Sequence, residues 1–347
     1  MSFDAGPVRQ THRFDEAALE RYLRSTIDSF RGAFSVQQFG GGQSNPTFLL
    51  SAGHTRFVLR KKPLGTLLKS AHQVDREFRI MKTLAGTDVP VPRMHVLCED
   101  ESIIGTSFYV MDYLEGRIFR DPQLPGVSPF ERAAIYDSMN DTLARLHNAD
   151  FNRLGLGDFG RPGNFFERQI ARFTSQYRAA QTEGIPEMEQ LIAWLPDNIP
   201  DEASISIAHG DFRLENTIFH PTEPRLIAVL DWELSTIGHP LADLAYNCMG
   251  YHVMNPRQGG LVGVDHAATG IPAEADYVSR YCSRTSRRSI EHWPFYLSFA
   301  IFRLASIAQG VFKRGLDGNA SSETAATYGN TCRLLADNSW RLARTAL

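Results

Sequence analysis

The period of the hydrophobic pattern changes once along this chain, near Tyr113 to Gly116, and that change constrains the fold more than any single motif. Before it, the apolar residues come in short runs, Phe34 to Gly40, Thr47 to Ser51 and Thr55 to Lys61, rich in β-branched and aromatic side chains and separated by the glycine-bearing turns GGGQSN and AGH. Such runs read as antiparallel strands joined in a meander. An amphipathic opening helix is expected over Asp15 to Phe30, and from Ser70 to Leu84 the apolar positions Val74, Phe78, Met81 and Leu84 recur at helical spacing. Met94 to Cys98 and Ser107 to Leu114 add two strands, giving a sheet of about five strands interrupted by one helix.

Beyond Glu115 the texture is mostly helical. Ser128 caps a periodic run that ends near His147, and further helices are expected at Phe165 to Thr182, Leu241 to Tyr251, Pro294 to Lys313 and Glu323 to Ala346. A length of 347 residues suits roughly two domains, so the expected division is a sheet-rich lobe over 1–114 and a helical lobe over 115–347. With 36 basic against 39 acidic side chains the net charge is −3, which leaves no overall footprint for nucleic acid. No stretch reads as approaching the roughly 20 apolar residues of a membrane span, and the start lacks the apolar run of a signal peptide. Cys98, Cys248, Cys282 and Cys332 form no C-x-x-C pair and read as reduced, mostly buried thiols. A cytoplasmic protein without a nucleic-acid or membrane partner is the expectation; the sequence assigns no oligomeric state.

One segment breaks the helical texture. Between Ile205 and Glu233 two short apolar strands, Thr217 to Phe219 and Leu226 to Leu230, flank loops crowded with polar residues, His209-Gly210-Asp211-Phe212-Arg213-Leu214-Glu215-Asn216 and Leu230-Asp231-Trp232-Glu233. Phosphoryl transfer needs one carboxylate to take the proton of the attacking hydroxyl, and oxygen ligands for the magnesium that neutralises the nucleotide phosphates. The spacing H-x-D-x-x-x-x-N, with a second Asp ending the next apolar strand, supplies that set. Loop Asp and Asn side chains often do no more than cap turns, but three at this spacing argue against that reading.

The run HGDFRLENTIFHPTEPRLIAVLDWELSTIGHPLADLAYN resembles the aminoglycoside phosphotransferase and choline kinase superfamily, and within it the kinase-like domain fused to some acyl-CoA dehydrogenases. The resemblance implies an α+β, bilobal, protein-kinase-like fold, with an antiparallel-sheet N-lobe and a mainly helical C-lobe. It implies an ATP- and magnesium-dependent kinase of a small hydroxylated molecule, with Asp211 as base and Asn216 and Asp231 as magnesium ligands. Arg213 stands where protein kinases carry a lysine that touches the transferring phosphoryl group; a salt bridge to Glu215 or another acid is the equal alternative. His209 is read as structural, as is Asp243, which in the family braces the loop through backbone N–H groups. Glu233 is left open between metal site and acceptor pocket.

On the nucleotide side, Gly41, Gly42, Ser44 and Asn45 lie between two strands, where a backbone free of Cβ atoms offers N–H donors to phosphates. No Gly-Lys-Ser/Thr follows, so this is not a Walker A loop, and a plain hairpin turn is the bland reading. The resemblance puts Arg60 in the place of the phosphate-holding lysine, with Lys61 or Lys62 as substitutes if the register shifts, and Glu77 as its helix partner. Met111 and Tyr113 end the last strand of the first lobe, where the resemblance places a hinge that meets adenine through main chain. The insertion from Phe151 to Pro200 interleaves both signs of charge, as Arg168 and Arg172 do with Glu167 and Glu183, and so does not demand a polycation. A hydroxyacyl-CoA is the sharpest acceptor; an aminoglycoside kinase and a pseudokinase or regulatory nucleotide-binding module are the alternatives.

Overall fold

The computed structural model describes residues 5–40, 45–63, 73–201, 203–254, 259–317 and 328–346. Packing divides the chain into two compact units, one built from Met1–Ile118 and Asn216–Leu234, the other from Phe119–Glu215 and Ser235–Leu347.

The first unit holds a six-stranded antiparallel sheet. Its strands are β1 (Ala5–Gly6), β2 (Phe34–Phe39), β3 (Thr47–Ala52), β4 (Thr55–Lys61), β5 (Met94–Cys98) and β6 (Phe108–Asp112), in the order β1-β2-β3-β4-β6-β5. Side chains alternate across a strand, and β4 shows what that does. Phe57 and Leu59 join a core with Phe48, Leu50 and Val110, covered by Leu19 and Leu23 of helix α1 (Glu16–Thr26). Asp15 caps α1 by accepting from the Ala18 N–H at 2.9 Å. Helix α2 (Val74–Leu84) buries Val74, Phe78, Met81 and Leu84, the four positions its periodicity marks. The two-residue β1 is too short to leave a pattern and adds a sixth strand to the expected five.

The second unit is built from helices α3 (Pro129–Asn148), α4 (Phe165–Ala180), α5 (Pro186–Asp197), α6 (Pro240–Cys248), α7 (His266–Thr269), α8 (Glu274–Arg284), α9 (Trp293–Leu316) and α10 (Tyr328–Ala343). Ser128 caps α3 as expected, accepting from the Glu131 N–H at 3.3 Å. Its two-stranded sheet pairs β7 (Ser206–Ala208) with β10 (Thr236–Gly238), while β8 (Thr217–Phe219) pairs with β9 (Leu226–Val229) in the first unit. Helices α5 and α8 escape the sequence reading for different reasons. Pro186 and Pro196 punctuate α5, and α8 buries Tyr277 and Tyr281, whose hydroxyls disguise an apolar stripe.

Helix α9 corrects one expectation. It is long and apolar enough to cross a membrane, yet two-thirds of its most apolar window is buried inside the protein. Helices α4, α5, α6 and α10 all pack on it, so it is hydrophobic around most of its circumference because protein surrounds it.

Candidate active site

In the first unit, polar groups gather at Arg60. The β4 register sends this guanidinium to the face opposite Phe57 and Leu59, where its Nε lies 3.4 Å from Glu77 Oε2. Its Nη2 donates to Asp231 Oδ1 at 2.7 Å and lies 3.4 Å from Glu233 Oε2. Lys61 is one residue on and points the other way, buried at 1% exposure, while Lys62 reaches Asp75 at 3.8 Å. Of the three cations, Arg60 is the one beside Glu77.

Glu77 is fully buried on α2 and held from two more sides, by Asn45 Nδ2 at 2.9 Å and by the Tyr109 hydroxyl at 3.0 Å. Burial pushes its carboxyl up, Arg60 pulls it down, and Asp231 and Glu233 push it up again, leaving it at about 7. The same carboxylates hold Arg60 well above the ordinary guanidinium range against the opposing effect of its own burial. When all are ionised, the cluster sets one positive charge against the three negative charges of Glu77, Asp231 and Glu233, a balance of −2.

The β8–β9 hairpin carries the remaining oxygens. The Leu230 N–H donates to the Asn216 carbonyl at 2.8 Å, which ties the residue before Asp231 to Asn216 although fourteen positions separate them. Asp231 adopts φ 64°, the left-handed region, which among side-chain-bearing residues Asp and Asn tolerate best. Trp232 anchors the turn by donating from its buried indole to the Val229 carbonyl at 3.0 Å. A carboxylate and an amide oxygen are the hard donors that magnesium takes, and the local excess of negative charge suits a dication.

At the end of β6, Met111 pairs with Val58 and Met94, and the N–H groups of Asp112 and Tyr113 are donated to the carbonyls of Arg93 and Arg56. Arg56 also lies over the Tyr113 ring at 4.3 Å. Any nucleotide contact at this strand end therefore uses other main-chain groups. Gly41, Gly42 and Ser44 lie outside the described residues. Asn45 is described, and its amide faces Glu77.

In the second unit, the loop from His209 to Glu215 is fixed from beneath. Gly210 sits at φ 84°, a conformation that glycine adopts at no cost. Asp243, in the first turn of α6, accepts from the N–H groups of His209 and of Gly210, the latter at 2.8 Å. Burial pushes the Asp243 carboxyl up, but His147 at 3.4 Å, then His209 and the Gly210 N–H, outweigh it and hold it below the usual range. His147 Nδ1 lies in turn 2.6 Å from the Tyr281 hydroxyl. His209 is fully buried and its Nδ1 accepts from the Asp211 N–H at 3.1 Å. Arg213 bridges two acids, its Nε 3.4 Å from Asp211 Oδ1 and its Nη1 3.2 Å from Glu215 Oε2.

Arg213, Leu214 and Glu215 also line a cavity of about 400 Å³ that lies wholly within this unit. Most of its wall is apolar, from Met139 and Tyr136 to Leu304 and Ile307. Met254, Val262 and Leu334, each between 48% and 59% exposed, belong to the same lining. Among the described residues, its lining carries the charged side chains of Arg120, Arg213 and Arg341 and the acid Glu215.

Several residues of this site carry no motif. Arg303 donates to the Gly210 carbonyl at 2.6 Å, and its guanidinium lies 5.1 Å from the centre of the Tyr246 ring. An arginine in the apolar middle of α9, well before Lys313 and Arg314 at its end, is the one signal that could have flagged it. Tyr246 and Asn247 sit inside the run that marks the family but read there as helix filler.

Comparison with known proteins follows this geometry. A family model described as the phosphotransferase enzyme family matches residues 35–278. Acyl-CoA dehydrogenase family member 10 of Mus musculus is 47% identical over 340 residues, covering 97% of this chain and 32% of that protein. The chain spans less than half the length of the curated relatives it matches. A crystal structure from Ralstonia eutropha JMP134, provisionally assigned as an aminoglycoside phosphotransferase, is 50% identical, with a TM-score of 0.89 over 96% of this chain and 99% of that one. Aminoglycoside phosphotransferase APH(4)-Ia, solved with AMP-PNP and hygromycin B, matches with a TM-score of 0.60 at 15% identity, over 92% of this chain and 98% of that one. The fold is the expected kinase-like one.

Proposed function

We propose that this chain, which belongs to the phosphotransferase enzyme family, moves the γ-phosphoryl group of ATP to a hydroxyl of a small molecule, with a hydroxyacyl-CoA as the sharpest candidate acceptor. The observation that carries the reading is the charge imbalance at Arg60, where one cation faces three carboxylates. Asn216 and Asp231 would hold magnesium, which when bound neutralises charge on the nucleotide phosphates. Arg60, oriented by Glu77 and through it by Asn45 and Tyr109, pairs with phosphate oxygens as a planar fork. Asp211 accepts the proton of the attacking alcohol. Arg213, two residues on, meets charge developing on the equatorial oxygens, and its bridge to Asp211 and Glu215 holds it nearby until then.

The cavity beside the loop supports the acceptor class. A polycation such as an aminoglycoside gains affinity from converging carboxylates, whereas among the described residues the charged groups in this lining are three arginines and one glutamate. An apolar wall with a basic margin suits an acyl chain and an anionic group. The test is steady-state kinetics of the purified protein with magnesium and ATP, on hydroxyacyl-CoAs and on aminoglycosides. Turnover of hydroxyacyl-CoAs is expected. Efficient phosphorylation of kanamycin-like compounds, with none of hydroxyacyl-CoAs, would overturn the acceptor class. Nucleotide binding without turnover of either would leave a pseudokinase.

A further inference from the structure

Several of the polar side chains that line the cavity beside Arg213 and Glu215 are turned onto the protein itself. The Tyr136 and Tyr251 hydroxyls donate to the carbonyls of Pro122 and Pro272 at 2.6 and 2.8 Å, and the Tyr277 hydroxyl donates to Asn247 Oδ1 at 2.6 Å. Asn247 in turn donates from Nδ2 to the Phe212 carbonyl at 3.2 Å. His252, in the same lining, is held differently. Its Nε2 lies 2.9 and 2.8 Å from the two carboxylate oxygens of Glu274, the first residue of α8, and Glu274 Oε1 also accepts from the Trp293 indole at 3.1 Å. A carboxylate only accepts, so the contact puts a proton on Nε2 of the imidazole and fixes the ring in that tautomer. Its side chain is 21% exposed, and no hydrogen bond to Nδ1 comes from the described residues.

We propose that His252 is a specificity-determining residue of this cavity, with Glu274 holding the proton on Nε2 so that Nδ1 accepts a hydrogen bond from an N–H of the acceptor molecule, away from the hydroxyl that reacts. The proposal rests on reading the cavity as the acceptor's. In a hydroxyacyl-CoA the reacting hydroxyl belongs to Asp211, and the amide N–H groups of the arm beyond the thioester are the donors that remain close to the acyl chain. A free hydroxy acid brings no such donor and leaves the ring nitrogen without a partner, which costs more than the bond itself returns. The apolar wall holds a chain without reading its polar groups, whereas one acceptor atom in that wall tells the thioester from the free acid. Glu274, itself fixed by Trp293, keeps Nδ1 from becoming the proton-bearing nitrogen, as the partner behind a histidine does.

Two measurements test this. The first needs no turnover: with the histidine ring nitrogens isotopically labelled and spectra taken at about pH 8, above the ordinary histidine range, the resonances absent from His252→Phe are those of His252. They should show the proton on Nε2, and 3-hydroxybutyryl-CoA added without ATP should move Nδ1. The second is kinetic, with magnesium and ATP. His252→Phe, which keeps the bulk of the ring, should raise KM for 3-hydroxybutyryl-CoA by roughly five- to fiftyfold, with kcat and KM for ATP close to the wild-type values. His252→Asn puts an amide at the place of Nδ1 and should recover most of the loss. His252→Gln puts it at the place of Nε2, keeps the contact with Glu274 and should recover little. Rescue by His252→Gln and not by His252→Asn would mark a merely structural bracket for Glu274 and overturn the proposal. So would a ring protonated on Nδ1, or an Nδ1 resonance indifferent to the thioester. If the wild-type protein turned over no hydroxyacyl-CoA, the proposed acceptor and this proposal would fall together, whereas normal turnover with a wild-type KM in His252→Phe would fell this one alone.

Discussion

The cluster at Arg60 and the loop at Asp211 are both polar, both buried in part and both built from residues distant in sequence, yet opposite means hold them in place. Arg60, Glu77, Asp231 and Glu233 are joined by charge, with three carboxylates competing for one guanidinium. The loop is joined by hydrogen bonds to its backbone, from Asp243, Asn247 and Arg303, so that its geometry depends little on what it binds. The difference teaches where ligand binding should change the protein. A cluster short of positive charge is completed by a cation, whereas a loop whose main-chain groups are already engaged is ready before the acceptor arrives.

The first and largest way to break the comparison is Arg60→Ala. Removing one partner of a buried ion pair leaves uncompensated charge, and about 3 to 5 kcal/mol of stability should be lost by denaturant unfolding without ligands. Added magnesium should recover part of it if the charge deficit is what matters. Arg60→Lys should fall between, because a point charge replaces part of a fork.

The second test uses pH. Glu77 sits at about 7 in the folded protein against an ordinary value of 4.5, so the folded state holds this proton more tightly. Below about 4.5 the residue makes no difference, since it is protonated folded and unfolded alike. As pH rises toward 7 the unfolded chain releases the proton first, and stability falls; above 7 the effect is complete. Relative to Glu77→Gln, the wild-type protein should lose up to about 3 kcal/mol across that window, read from urea melts at several pH values. A parallel course for the two proteins would show that Glu77 ionises as it does in water.

On the loop side, Asp243→Asn replaces one of two acceptor oxygens with a donor beneath the His209 and Gly210 N–H groups. A loss of about 2 kcal/mol, insensitive to magnesium, should follow. The smallest effect is expected for Tyr109→Phe, which removes one neutral donor from Glu77 and should cost about 1 kcal/mol. Loss of nucleotide affinity greater than that would mark the hydroxyl as more than a bracket.

Much of this was readable in the sequence, and for physical reasons. Two short apolar runs predict the β8–β9 hairpin that ties Asn216 to the residue before Asp231, and strand alternation turns Arg60 to the face opposite Phe57 and Leu59. Of the braces, Asp243 was readable through the resemblance, and the others were not. Arg303 reaches the loop, and His147 reaches Asp243 beneath it, only through helix packing, which no local pattern records. The role of the Asn45 side chain was not readable either, since its place after the glycines suggests backbone donors while its amide is turned onto Glu77. The three arginines of the cavity wall come from segments as far apart as Arg120 and Arg341, so the sign of that lining is a product of the fold.

The central claim is that the two regions have separate tasks, one binding magnesium and nucleotide and the other taking a proton from the acceptor. It is tested most directly by calorimetric titration of Asp231→Ala and Asp211→Asn with magnesium and ATP, alongside turnover. Asp231→Ala should abolish magnesium-supported nucleotide binding, while Asp211→Asn should bind nucleotide like the wild-type protein and lose turnover by about a hundred- to ten-thousandfold. Equal loss of nucleotide affinity in both variants would contradict the division.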